Sequence, residues 1–390
     1  MSPPAGTADS SQLAAEAQMA GLEAQVTPTR LAMMPTTLPL WELIAGSAET
    51  LHGVLAPYVR VYTIVQHGVK MALRDSDDEA PEETIEEKRL LQSWRIMCEI
   101  IPDFSEQMIG LGVNNKLRKQ VCTEIQAGLN GARGDDTRSL KADILNYLEP
   151  PPALPVPNAE GDDQPPKVPK MAAKGTKADR GFFNPLTTRL LMPVKYPATE
   201  ETFSQIRDGA KPIYGTEIPY FMYRDGMEVD PDDMDEGFLE SHVMFATAKH
   251  IHQGPTAALK GPGVTRGKAG NAALNGITAL IDRDVAYVAC QARFGMSSQQ
   301  NWNMHDGTFN YSDFYWSVVD VLRGDEGQDI IDRFNYAVFG TKKSTKRSAT
   351  AAAVGPSDFD VLEAQRAAKR ARKIEAAAAA TSASSASAAS

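Results

Sequence analysis

Apolar residues recur at steps of three and four between positions 38 and 73, as Leu40, Leu43, Ile44, Leu51, Val54, Leu55, Tyr58, Val61, Tyr62 and Val65. That is the period of a helix burying one face. Pro57 falls inside the run and predicts a kink or the start of a second helix. Asp75, Asp77, Asp78, Glu79, Glu82, Glu83, Glu86 and Glu87 then crowd together, and such a block repels itself into water, which predicts a loop. The spacing predicts a further helix over 85–101, with Leu90, Leu91, Trp94, Met97, Cys98 and Ile101 on one face and Pro102 ending it. Shorter helices are expected over 104–111, 115–127 and 137–148, the last with Asp136 or Thr137 as its N-cap. Together, residues 38–148 read as a helical bundle.

The periodicity then stops. Between 149 and 179, prolines at 150, 151, 152, 155, 157, 165, 166 and 169 alternate with Lys167, Lys170, Lys174 and Lys177. Proline at this density favours an extended, semi-rigid spacer. A second unit, 180–340, opens on Gly181-Phe182-Phe183-Asn184-Pro185, a turn beside aromatic anchors. Helices are expected near 186–191, 200–208, 237–252, 282–297, 311–322 and 327–339, with one or two short strands near 219–223. The fold class is therefore mostly α: two helical units joined by a Pro-rich linker, with disordered N- and C-terminal tails at 1–37 and 341–390. Within those tails, residues 12–22 could form a transient helix, and Ser357 or Asp358 could cap a solvent-exposed one.

Composition refines this picture at a few points. The net charge is -10. The 341–390 tail alone carries nine Lys and Arg against four acids, so it is basic on an acidic protein. An acidic chain is not a general nucleic-acid coat, although a local basic patch can bind phosphate. Cys98, Cys122 and Cys290 contain no CxxC pair, which speaks against a disulfide framework and a cysteine-rich zinc module. The first 37 residues lack a basic start and an apolar core, and no segment has the ~18 consecutive apolar residues that span a bilayer. An intracellular protein is expected, with no membrane partner.

Candidate chemistry is sparse. His242, His250 and His252 lie close in sequence, but His250 and His252 point to nearly opposite sides of a helix and no HExxH is present, so packing or surface roles are expected. The acids Asp225, Glu228, Asp230, Asp232, Asp233, Asp235 and Glu236 fit no calcium-loop register. Ahead of a helix they are expected to oppose its dipole and cap it. The glycine-rich span 260–268 misses the phosphate-loop spacing, and Ala269 stands where a hydroxyl is needed. Its cations could still meet an anion, which makes Lys249, Lys260, Arg266, Lys268 and Asn271 candidate anion or nucleic-acid contacts. Cys290 reads as a small buried hydrophobe, and Gln291 and Arg293 as structural. Lys369, Arg370, Arg372 and Lys373 form a candidate nuclear-import cluster. No catalytic residue, metal site or cofactor is assigned.

Several blocks in the second unit occur in an order that resembles an uncharacterised domain family, a domain of unknown function found in many copies in mushroom-forming fungi. They are Arg180-Gly181-Phe182 through Leu190-Leu191-Met192-Pro193, Ile218-Pro219-Tyr220-Phe221-Met222-Tyr223, Ala248-Lys249-His250-Ile251, Thr265-Arg266, Gly270-Asn271-Ala272, Ala286-Tyr287-Val288-Ala289, Gln291-Ala292-Arg293-Phe294 with Ser297-Ser298, and Phe314-Tyr315. A weaker likeness extends back through Gly134-Asp135-Asp136-Thr137 to the helical unit near Leu40. The chain departs from the family pattern at Phe183-Asn184, where Asn-His is common, and at Asn275 before Gly276, where His is common. The resemblance implies a helical fold and carries no activity. The expected function is a non-catalytic protein-interaction protein, nuclear rather than cytoplasmic, able to bind protein partners or a second copy of itself. The alternative is a nucleic-acid-associated protein using the 260–268 loop and the basic tail. A metal-dependent hydrolase or nuclease using the 230–236 carboxylates is third.

Overall fold

A computed structural model describes residues 50–74, 83–112, 115–148, 171, 175–264 and 270–340, together with 365, 369 and 372. The expectations for 1–49, 149–170 and most of the tail lie outside the described residues. The fold is mostly α. Contacts divide the chain into one unit up to Gly134 and another from Asp135, so the division falls inside a helix rather than at the proline-rich stretch.

In the first unit, residues 50–54 are helical, a turn passes through Pro57, and α1 follows at Val61–Ala72. Thr84 caps α2, Ile85–Ile100, by accepting from the Glu87 backbone while the Glu87 carboxylate accepts from the Thr84 backbone. This reciprocal pair satisfies orphan donors at the helix start. Pro102 follows the end of α2, and α3 spans Phe104–Gly110. Gly68 on α1 lets the Trp94 ring of α2 approach its backbone, since an added Cβ would stand 2.0 Å from Trp94 Cδ2. Trp94 in turn meets Phe104 with ring centres 5.4 Å apart.

The next element corrects the sequence reading. Two helices were expected over 115–127 and 137–148. One continuous helix, α4, runs Asn115–Asp143. Gly128, Gly131 and Gly134 lie in or beside the gap between the two expected helices, and each glycine costs ~1 kcal/mol against alanine in a helix. Long-range contacts override that preference. Buried Arg133 donates to the carbonyls of His52, Leu55 and Pro57, at 3.1, 2.7 and 3.1 Å, closing the turn before α1. Asp136 is accordingly not an N-cap but a buried mid-helix carboxylate.

The second unit carries α5 (Pro185–Leu191), α6 (Glu200–Arg207), α7 (His242–Gln253), the short α8 (Asn271–Leu274), α9 (Asp282–Met296), α10 (Tyr311–Val321) and α11 (Asp325–Phe339). Its centre is α9, buried at every residue from Arg283 to Met296 and packed against α5, α7, α10 and α11. Ala286, Ala289, Ala292 and Gly295 keep its surface small, and an added Cβ at Gly295 would press on Ile144 at 3.3 Å. The expected strands near 219–223 are instead a 3-10 turn at Tyr220–Met222, flanked by isolated bridges Pro193 to Pro219 and Tyr223 to Phe238. The ladder among the described residues is an antiparallel pair, β1 (His305–Asp306) and β2 (Phe309–Asn310), joined at Gly307 with φ 62°. Helix α7 starts five residues later than expected, because Ser241 caps it and residues 237–240 turn.

Candidate functional site

Three groups of polar side chains surround α9. The first is a chain of hydroxyl, imidazole and hydroxyl. Tyr147 Oη lies 2.7 Å from His250 Nδ1, and His250 Nε2 lies 2.8 Å from Ser139 Oγ. Helix α4 positions Ser139, the turn after it positions Tyr147, and α7 positions His250. Burial holds the His250 imidazole below its ordinary 6.5, against the nearby Asp143 and Asp136 carboxylates. Burial likewise pushes the Tyr147 phenol up, with Asp143 adding to it. Tyr147 therefore keeps its proton and His250 is neutral at pH 7. A neutral imidazole donates at one nitrogen and accepts at the other, so one of the two hydroxyls donates to the ring and the other accepts from it.

The second group is directional. Gln291 Nε2 donates to Tyr287 Oη at 2.8 Å, and Tyr287 donates to the Asp136 carboxylate at 2.9 Å. Thr137 reaches Gln291 Oε1 at 3.3 Å. These bonds tie α9 to the last turns of α4.

The third group closes the C-terminal end of α9. A helix leaves its last carbonyls without intrahelical partners, so they take donors from elsewhere in the chain. Lys177 Nζ donates to Phe294 O at 2.5 Å and lies 3.4 Å from the centre of the Phe294 ring. Arg180 Nη1 donates to Gly295 O and to Lys141 O, each at 2.8 Å. Arg293, the residue before Phe294, donates to Asp306 of β1 and to the Tyr311 hydroxyl at 2.8 and 2.7 Å, with its guanidinium 3.4 Å from the Phe309 ring centre. Burial opposes its charge, and Tyr311 and Asp306 more than offset that. Burial brings the Lys177 amine down to about 6, helped by Arg180, Lys141 and Arg293 and opposed by Asp306. Lys177 belongs to the stretch expected to be an extended, semi-rigid spacer ending at 179. The end of that stretch is packed, and Lys177 is fully buried.

The sequence-based candidates are placed differently. Lys249 is buried, and its amine donates to Lys260 O and to Gly261 O, the latter at 2.8 Å. The Asn271 amide donates to Ile251 O at 3.1 Å. Lys249 therefore fastens the start of the glycine-rich loop to α7, and Asn271 fastens α8 to it. Arg266 and Lys268 lie outside the described residues. Of the acids expected ahead of α7, Asp225 meets the first turn of the helix, and the N-cap itself is Ser241. Ser241 Oγ accepts from Met244 N–H, and Asp225 accepts from His242 N–H at 2.7 Å. Asp233 instead pairs with Lys369. Among the described residues, no three His, Cys, Asp or Glu side chains are grouped to hold a metal ion. Cys290 is fully buried, and burial pushes its thiol up. Phe183, expected as an anchor, is 65% exposed. Gly181 sits close to the chain at Ser298: its φ is 65°, and an added Cβ would stand 2.9 Å from Ser298 N, which excludes a side chain.

The segments that follow α7 are bonded to α7 and to the end of α11, and they carry exposed apolar side chains. Gly263 N–H donates to Ala337 O at 3.2 Å, and Gln253 donates to Val338 O, which joins the loop and α7 to the end of α11. Leu259, Val264, Leu274 and Tyr336 project from these segments, Leu274 being 69% exposed.

The geometry defines a helical domain built round one enclosed helix whose buried polar groups fasten its neighbours. Residues 127–339 match the model of a family described as "Family of unknown function (DUF6698)", more than half of the chain, and the chain belongs to that family. No curated protein and no solved structure matches it. Among the described residues, no helix is long and apolar enough to cross a membrane.

Proposed function

We propose that this chain is a non-catalytic protein-interaction protein of fungal type that presents an apolar docking face at the end of α7 and α11. The observation that carries this reading is the exposure of Leu259, Val264, Leu274 and Tyr336 on segments joined by hydrogen bonds to α7 or α11. Apolar side chains held in water on a rigid frame are the usual core of a protein interface. The frame supports the same reading: Lys177, Arg180, Asp136, His250 and Arg293 make buried bonds that fasten helices together. The basic cluster at Lys369, Arg370, Arg372 and Lys373 supports a nuclear location.

The test is affinity purification of the full chain with and without nuclease, beside a Leu259→Asp, Leu274→Asp double variant. Partners should persist through nuclease and be lost from the variant, whose melting temperature stays that of the parent. Partners that vanish with nuclease would replace this reading with nucleic-acid association. Partners held equally by the variant would refute the docking face.

A further inference from the structure

Residues 365, 369 and 372 of the basic tail are helical, and their spacing puts them on one face. Two of them meet the acidic stretch after Asp225. Gln365 accepts from Met234 N–H at 2.7 Å through Oε1, and its Nε2 donates to Pro231 O at 2.7 Å. One side-chain amide thus pairs with both a donor and an acceptor of the same turn. Lys369 Nζ, one helical turn on, pairs with the Asp233 carboxylate. That turn is preset, because Asp230 Oδ1 accepts from Asp232 N–H at 2.8 Å.

The charges match on the larger scale as well. The tail carries an excess of Lys and Arg, and 225–236 is acidic. The Lys369 hydrogen bond is the main reason that the Asp233 carboxyl sits below its ordinary range. Both members of the ion pair stay partly in solvent, at 42% and 35% exposure. Such pairs are weak and screened by salt, so the contact is reversible.

We propose that the 231–234 turn is a docking site for a basic helical segment, occupied by Gln365 and Lys369 of this same chain, and that docking withholds Lys369 of the basic cluster from other anionic partners. The chemistry selects the occupant: a primary amide to read the backbone, and a cation one helical turn later to meet the carboxylate. The inference does not depend on the apolar docking face at the end of α7 and α11.

Zero-length carbodiimide cross-linking of the full chain tests it, because the reagent joins a carboxylate to an amine only when the two touch. An equal mixture of unlabelled and nitrogen-15-labelled protein distinguishes links within a chain from links between chains. A 233–369 link within single chains is expected. It should disappear in Lys369→Gln, return in the reversed pair Asp233→Lys with Lys369→Asp, and fall by about half or more when salt rises from ~0.1 M to ~1 M and the screening length shrinks from ~10 Å to ~3 Å. Hydrogen exchange reads the other half of the site. The Met234 amide should exchange about tenfold faster or more in Gln365→Ala than in the parent, as for a backbone group released from a bond. Absence of the 233–369 link while other links form, a link of mixed isotope, or Met234 exchange unchanged by Gln365→Ala would each overturn the proposal.

Discussion

Tyr147, His250 and Ser139 show how a single residue acquires its character from what encloses it. Removing the Tyr147 hydroxyl leaves one imidazole nitrogen buried without its partner, so Tyr147→Phe should cost about 1–2 kcal/mol in denaturant unfolding at pH 7. The pH dependence has a defined sign. Unfolded, the imidazole titrates near 6.5, and folded it titrates lower, so on acidification the unfolded chain takes the proton first. The stability contributed by neutral His250 is complete above about 6.5 and is lost as pH falls toward the folded value. His67 of the first unit is lowered by burial in the same sense, so the comparison needed is parent against His250→Gln, whose acid loss should be shallower. Lys177 works over a different window. Its amine titrates at about 6 in the fold against an ordinary 10.5. Between those values the unfolded chain binds the extra proton, so this contribution to stability rises with pH across the window. Lys177→Met should abolish that rise, and the parent-minus-variant difference in unfolding midpoint should therefore grow from pH 6 to pH 10. A difference that stayed flat would show a charged amine in the fold.

At the scale of elements, two glycines predict opposite outcomes. Gly68 faces the Trp94 ring at a distance no Cβ tolerates, whereas an added Cβ at Gly131 on α4 meets nothing within 4 Å. Gly68→Ala should destabilise the first unit by about 1–3 kcal/mol or more, since α1 and α2 must separate or Trp94 must leave its rotamer. Gly131→Ala should stabilise it by about 0.5–1 kcal/mol by restricting the unfolded chain in a helix interior. Urea unfolding followed by tryptophan fluorescence measures both. Helix identity was legible wherever the apolar period was strong, as at 85–101, 282–297 and 311–322. It failed where distant side chains decided. Arg133 closing the 52–57 turn accompanies a helix that runs on through three glycines. A stretch rich in aromatic and β-prone residues at 219–223 became a 3-10 turn under bridges to Pro193 and Phe238. Two other positions held by distant bonds had no local signal. Buried Asn335 of α11 exchanges two hydrogen bonds with the backbone of Leu280 ahead of α9, and Thr308 does the same for Ile213.

At the scale of the whole molecule, charge is divided unevenly. The 341–390 tail carries a net +5 and the remaining residues -15, so electrostatics favours tail association with the body at low salt. Composition alone established that asymmetry, and the Asp233–Lys369 pair gives it an address.

Periodicity determined that the chain is helical, because burying one face of a helix imposes steps of three and four whatever the neighbours are. It also determined that α9 is apolar enough to be enclosed and that Cys290 within it is a packing residue. Only the tertiary structure decided which polar side chains meet. Asp136 reaches Tyr287, Tyr147 reaches His250 and Lys177 reaches Phe294 across sequence separations of 151, 103 and 117. Each of those residues looks locally like a cap, a surface aromatic or a linker cation. A buried polar atom needs a partner wherever the chain can supply one, and that partner is set by which helices share the core, not by which residues share a segment.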